Sequence, residues 1–193
     1  MLMKHGVHLE MGNPESFAQG ASHRGLPGAT APHDDHALHV GHTILLMVAD
    51  LVVQPIAALP ADIRGLLETS EAEGHNLVRR LVEEWDDGSN RFDRPGETIF
   101  EARVGLRLVG VGGLNRDPYL DDPDVARIRH VYVAPDVRHT GVGRALVQAL
   151  VENARHRFKR VRLRTTTPHG SAFYIAIGFE PIDEPAGTHQ IVF

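Results

Sequence analysis

Val131-Tyr132-Val133-Ala134-Pro135-Asp136-Val137-Arg138-His139-Thr140-Gly141-Val142-Gly143-Arg144-Ala145-Leu146 carries a β-type run through a proline turn into a glycine pair that opens a helix. The β-branched and aromatic residues predict a strand ending at Val133, and Pro135 cannot continue its ladder. Gly141 and Gly143 let bare backbone approach a ligand at the start of a helix, where unpaired N–H groups and the helix dipole favour an anion. The loop therefore reads as a cradle for a phosphate-bearing ligand. Two other phosphate loops are excluded by spacing: Leu146 stands where a dinucleotide fingerprint requires its third glycine, and no Gly-Lys-Ser/Thr follows. The next strand, Val161 to Arg164, also ends without the carboxylate that would hold a ribose.

The 193 residues, 42% of them hydrophobic, can bury one good core but leave no room for two ordinary domains. The lack of cysteine excludes disulfides, thiolate metal sites and a cysteine nucleophile. No apolar run reaches the roughly eighteen residues of a membrane span. Lys4, His5, His8 and Glu10 interrupt the N-terminus where a signal peptide would be apolar, so a cytoplasmic protein without membrane contact is expected. The net charge of -5 hides an asymmetry: ten of the 20 Lys and Arg lie between Val125 and Arg164, against two of the 25 acidic residues. That local excess suits a polyanion, although Arg155, Arg157, Lys159 and Arg160 read first as a solvated helix end. Few aromatics for base stacking and an acidic chain argue against nucleic acid.

Residues 1–42 lack helical or strand periodicity and read as a disordered extension, with residues 43–193 as a single domain. His33, His36, His39 and His42 recur every third residue, but without cysteine or a packed surround they carry no metal assignment. Ile44 to Ile56 reads as a first strand with a bend near Asp50. Pro60-Ala61-Asp62 starts a short helix through Leu67, and Leu77, Val78, Leu81, Val82 and Trp85 form the apolar face of a second. Ile99–Val104 and Leu106–Leu114 form a hairpin turned near Gly105. A strand through Val131 and Val133, a long helix from Gly143, a strand over 160–164, a short helix over 171–177 and two final strands follow. The order β-α-α-β-β-β-α-β-α-β-β predicts a mixed α/β fold, with an antiparallel first half and a crossover helix in the second.

The pattern Val-x-Pro-x-x-Arg-x-x-Gly-x-Gly, read on Val133, Pro135, Arg138, Gly141 and Gly143, resembles the acyl-CoA pyrophosphate loop of the GCN5-related N-acetyltransferase family. Downstream, Tyr174-x-x-x-Gly178-Phe179 is similar to that family's Tyr-x-x-x-Gly-Phe segment. The similarity runs from Arg127 to Phe179, extends back to Leu51 and is absent before His42. It implies a mostly antiparallel central sheet flanked by helices, with acetyl-CoA as co-substrate and an amine as acceptor. The implied function is direct transfer of an acetyl group to a primary amine; the alternative is a non-catalytic acyl-CoA sensor or interaction module. A homodimer is compatible with either.

By the same resemblance, the main chain of Val131, Tyr132 and Val133 lies along the pantetheine arm. The amides of His139, Thr140, Gly141, Val142, Gly143 and Arg144 hold the pyrophosphate, aided by the charges of Arg138 and Arg144. Phe173 packs the cofactor and Tyr174 protonates the leaving thiolate; Thr167 and Gly170 stand where many relatives have asparagine and alanine, so the Thr167 hydroxyl is the substitute for the usual side-chain bond to the pantetheine. Many relatives carry a glutamate early on the strand before the loop; here Arg127 takes its place and cannot accept a proton. Glu71, Glu73, His75, Glu97 and His130 are substitutes for the base, and deprotonation through water is equally open. The acidic clusters Asp117, Asp121, Asp122, Asp124 and Glu83, Glu84, Asp86, Asp87 read as a rim for a cationic amine or as solvated loops.

Overall fold

The computed structural model describes residues 50–193. The extension over 1–42, its histidine series, the boundary at residue 43 and the first residues of the expected opening strand lie outside the described residues.

Strand β1 (Leu51–Ile56) is an edge strand, which is why Pro55 is accommodated in it: only one side of the ladder needs its N–H groups. Helix α1 (Ile63–Ala72) runs five residues beyond the expected Leu67, because Glu68 to Glu71 continue a helix-compatible stretch and only Gly74, at φ 77, forces the turn. Helix α2 (Leu77–Asp86) buries Val78 and Leu81 completely and rests Val82 and Trp85 against the same core, while Leu77 stays exposed.

Strands β2 (Thr98–Val104) and β3 (Arg107–Arg116) form the expected hairpin, with Gly105 at φ 57 in the turn. Strand β4 (Val125–Val133) leads through a short 3-10 turn at Pro135–Val137 into α3 (Val142–Arg155). Strand β5 (Arg160–Leu163), helix α4 (Pro168–Ala176), β6 (Glu180–Glu184) and β7 (Gly187–Val192) complete the domain. Helix α4 starts three residues earlier than expected: Thr167 caps it and Pro168, with its φ already fixed, fits the first turn.

The seven strands form one sheet in the order β1-β2-β3-β4-β5-β7-β6, and every neighbouring pair is antiparallel except β4 with β5. One core lies under α1 and α2, built on Ile99, Ala102, Val109, Val111 and Tyr132. The other lies under α3 and α4, built on Leu114, Ala126, Ile128, Leu146, Leu150, Val161 and Leu163. Two irregularities in β4 interrupt this regular pairing. Tyr132 pairs with Val111 and Arg129 with Gly113, so His130 and Val131 face the single residue Gly112, and His130 takes φ 54 at this bulge. On its other side β4 pairs with β5 only from Val125 to Arg127, and the strands separate after the pair Arg127↔Arg162.

Candidate active site

Because β5 leaves the ladder early, Ile128 to Val133 present an edge in the middle of a sheet that β5 does not pair. The direction of that edge follows from one bond: Ala134 N–H donates to Val109 O at 2.8 Å, so Ala134 faces β3 and Val133 faces the gap. Strand alternation turns Val131 the same way. The main-chain groups of Val131 and Val133 thus face the cleft as a strand offered for pairing, while the Tyr132 side chain packs on the α1/α2 core.

The outer end of the cleft is the glycine loop. His139 and Gly141 adopt φ 64 and 97, and Gly141 is the N-cap of α3 with no side-chain bond to the first-turn amides. The N–H groups of Val142, Gly143 and Arg144 therefore stand at an uncapped helix start, the arrangement that binds phosphate. Gly141 is required by its left-handed backbone: a Cβ there would touch nothing within 4 Å, so conformation and not crowding sets the residue. At Gly143 a Cβ would come 3.6 Å from Phe173, which shows how closely α4 packs against the loop. Val142 is buried, His139 and Arg144 are exposed, and the Thr140 hydroxyl donates to Val137 O at 2.7 Å.

Helix α4 carries the remaining residues. The Thr167 hydroxyl oxygen accepts the Gly170 N–H at 3.1 Å, so its first task is to cap α4. Tyr174 lies in an aromatic nest: its ring centroid is 5.0 Å from Phe173, 5.4 Å from Phe179 and 6.2 Å from His189, all edge-on or tilted. Desolvation there pushes the phenol up to about 12. Behind it, His189 bridges Ser171 Oγ (3.0 Å from Nε2) and Thr188 Oγ1 (2.9 Å from Nδ1), and burial lowers its pKa.

One expectation needs correction. Arg138 does not stand free for a phosphate. Its Nε donates to Val133 O at 3.0 Å and its two terminal nitrogens donate to Glu73 at 2.7 and 2.6 Å. The acidic clusters, expected as a rim or as solvated loops, are divided: Glu83, Asp86, Asp87, Asp121 and Asp122 are exposed, and the other three are held by cations. Asp117 is buried between Arg127 (3.7 Å) and Arg162 (3.4 Å), Glu84 holds Arg129 and His130, and Asp124 pairs with Lys159. Arg127 is a buried cation under the Tyr119 ring, 4.8 Å from its centroid.

The candidate substitutes for the base are mostly engaged. Glu73 accepts Arg138 and the Tyr132 hydroxyl, Glu71 pairs with Arg79, and Glu97 accepts the Arg116 N–H. His130 lies 3.1 Å from both Leu77 O and Glu84 Oε2, and burial pushes its pKa down. Glu73, Asp117 and Arg162 acquire their partners from segments up to 65 residues away, so no local pattern announces them.

Residues 63–179 match the model of the acetyltransferase (GNAT) family. A candidate acetyltransferase from Exiguobacterium sp. 255-15 shares 27% identity with a TM-score of 0.67, over 74% of this chain and 93% of that one. The fold also matches a ribosomal-protein-alanine N-acetyltransferase from Brucella melitensis (18% identity, TM-score 0.55, 74% and 99% covered). It matches a candidate acetyltransferase from Salmonella typhimurium solved with acetyl-CoA (13%, 0.56, 74% and 94%). With the open β4 edge, the uncapped glycine loop and the motif match in one place, the chain belongs to the GNAT family and is an acyltransferase that uses acetyl-CoA as co-substrate.

Proposed function

We propose that the chain transfers the acetyl group of acetyl-CoA directly to a primary amine of a small molecule or exposed amino group. The observation that carries this reading is the edge from Ile128 to Val133, unpaired by β5 and running to the free amides of α3. A pantetheine arm laid on that edge would leave its pyrophosphate at the amides from His139 to Arg144 and its thioester between β4 and Tyr174. A backbone N–H of the edge, aimed at the acetyl oxygen, would then stabilise the tetrahedral oxyanion.

Acyl transfer requires the amine to lose a proton and the sulfur to be stabilised as it leaves. Glu71, Glu73, Glu97 and His130 are held by their own partners and Arg127 cannot accept a proton, so the amine proton passes to water or to His75, which is exposed and whose ring makes no hydrogen bond among the described residues. At the other end the Tyr174 hydroxyl makes no hydrogen bond among the described residues. With its pKa at about 12 the phenol is protonated at every working pH. That is well above the roughly 8.5 of an ordinary thiol, so the phenol contributes a hydrogen bond that stabilises the developing thiolate, and the proton that the amine gave up balances the charge of the departing sulfur.

A panel of amines with acetyl-CoA, read by free thiol release, identifies the acceptor. Tyr174→Phe keeps the ring and removes the donor. Acetyl-CoA affinity should hold while kcat falls roughly ten- to a thousand-fold. An unchanged kcat, with chemistry shown to be the slow step, would reduce Tyr174 to a packing residue.

A further inference from the structure

The densest polar contact at the cleft mouth involves a residue that belongs to neither motif. Glu73, the C-terminal cap of α1, takes both terminal nitrogens of Arg138, at 2.7 and 2.6 Å, and the Tyr132 hydroxyl at 2.6 Å. The third nitrogen donor of Arg138, Nε, reaches the Val133 carbonyl at 3.0 Å, and the guanidinium lies 5.5 Å from the Tyr132 ring centroid. One carboxylate thus ties the last residues of β4, the arginine of the glycine loop and the end of α1 into a single knot. Forked, charge-assisted pairing of this kind fixes geometry as well as charge.

The consequence for the cleft is specific. The Val133 carbonyl faces the gap but already accepts one donor, which leaves it a single lone pair for a ligand. The Arg138 charge is cancelled locally, so the attraction for phosphate comes from the backbone amides and from Arg144. We propose that Glu73 is a positioning residue for the cofactor loop. It holds Arg138 against β4, so that the chain from Arg138 to Gly143 is set in its anion-binding shape before the ligand arrives. This inference rests on the acetyl-CoA reading of the cleft, and it assigns to Glu73 the ordering of the loop instead of proton abstraction.

The test compares Glu73→Gln, Arg138→Gln and the double variant. If Glu73 acts through Arg138, each single variant raises the Kd and the KM for acetyl-CoA by a similar factor, about three- to thirtyfold, leaves kcat within about twofold, and the double variant is no worse than either single. If Arg138→Gln weakens binding while Glu73→Gln leaves it unchanged or tightens it, Arg138 is a phosphate ligand that Glu73 restrains, and the proposal is overturned. A fall in kcat without a change in KM for Glu73→Gln overturns it in favour of a base. Amide hydrogen exchange of the ligand-free protein separates failure of this idea from failure of the cofactor reading. Faster exchange across residues 138–143 in Glu73→Gln, with distant helices unchanged, supports the positioning role even if acetyl-CoA does not bind. Unchanged exchange there overturns it.

Discussion

The two faces of β4 are built on opposite principles. Toward α3 and α4 it shows Ala126, Ile128, Val131 and Val133, which enter an apolar core. Toward α1 and α2 it shows Arg127, Arg129, His130 and Tyr132, and each of these is tied to a carboxylate: Asp117, Glu84, Glu84 again and Glu73. The apolar face derives its stability from area removed from water and tolerates any filling of similar volume. The charged face depends on pairing, because a buried cation that loses its partner is far costlier than a lost contact. A cleft between the two gains an insulating wall on one side and a fixed charge pattern on the other.

Asp117→Asn is the largest test of that contrast. Asp117 Oδ1 accepts the Tyr119 N–H at 2.9 Å, which an amide can preserve, while Oδ2 faces the buried guanidinium groups of Arg127 and Arg162 at 3.7 and 3.4 Å without a hydrogen bond. Removing the charge leaves two cross-strand cations side by side at the point where β4 and β5 part. The expected loss is roughly 3–5 kcal/mol by urea unfolding, comparable to Leu146→Ala on the apolar face at about 2–5 kcal/mol. A loss below about 1 kcal/mol for Asp117→Asn, with Leu146→Ala behaving as expected, would mean that the charged face is screened like an ordinary surface.

How far the sequence discloses each face depends on the same difference. Alternation, the proline turn and the glycine pair are local, so the element order, the strand end at Val133 and the helix after Gly141 are all readable. The bulge at His130 is not, because it arises from pairing across two strands and a glycine at 112 that carries no special signature of its own. Nor are the ion pairs: Glu73 lies 65 residues before Arg138, and Arg162 finds its carboxylates on the β3–β4 loop and on β6. Gly187 marks the second of these contacts in retrospect, since a Cβ there would fall 2.4 Å from the Arg162 guanidinium. Motif resemblance locates the cleft, but the residues that hold its charged wall meet only in three dimensions.

Gly141→Val probes the cradle that links the two faces at the mouth of the cleft. At φ 97 a β-branched residue is strained by roughly 1–3 kcal/mol even though no neighbour crowds the position. Stability should therefore fall modestly, as a drop in Tm, while acetyl-CoA loses most of its affinity because the α3 amides no longer converge. Retained affinity would show that the ligand is held mainly by the β4 edge and that the glycine loop is a turn only.

The smallest effect separates the two histidines that are buried among the described residues. His130 sits on the charged wall, facing Glu84 from α2 and flanked by Arg129, whereas His189 lies on the apolar side, bonded to Ser171 and Thr188 with the Tyr174 ring beside it. Burial lowers the pKa of His189 from its ordinary 6.5, so the folded state keeps it neutral where the unfolded chain takes up a proton. The unfolded state then binds more protons, and stability must fall as pH drops below the unfolded value, continuing until the folded pKa is reached. The slope from this one group cannot exceed about 1.4 kcal/mol per pH unit. His130 shifts in the same direction, so the informative quantity is the difference between wild type and His189→Gln in urea unfolding from pH 7 to pH 5. The variant should lose less stability over that interval. Equal losses would mean that His189 is protonated in the folded state as readily as in the unfolded one, and that the apolar wall behind Tyr174 admits water.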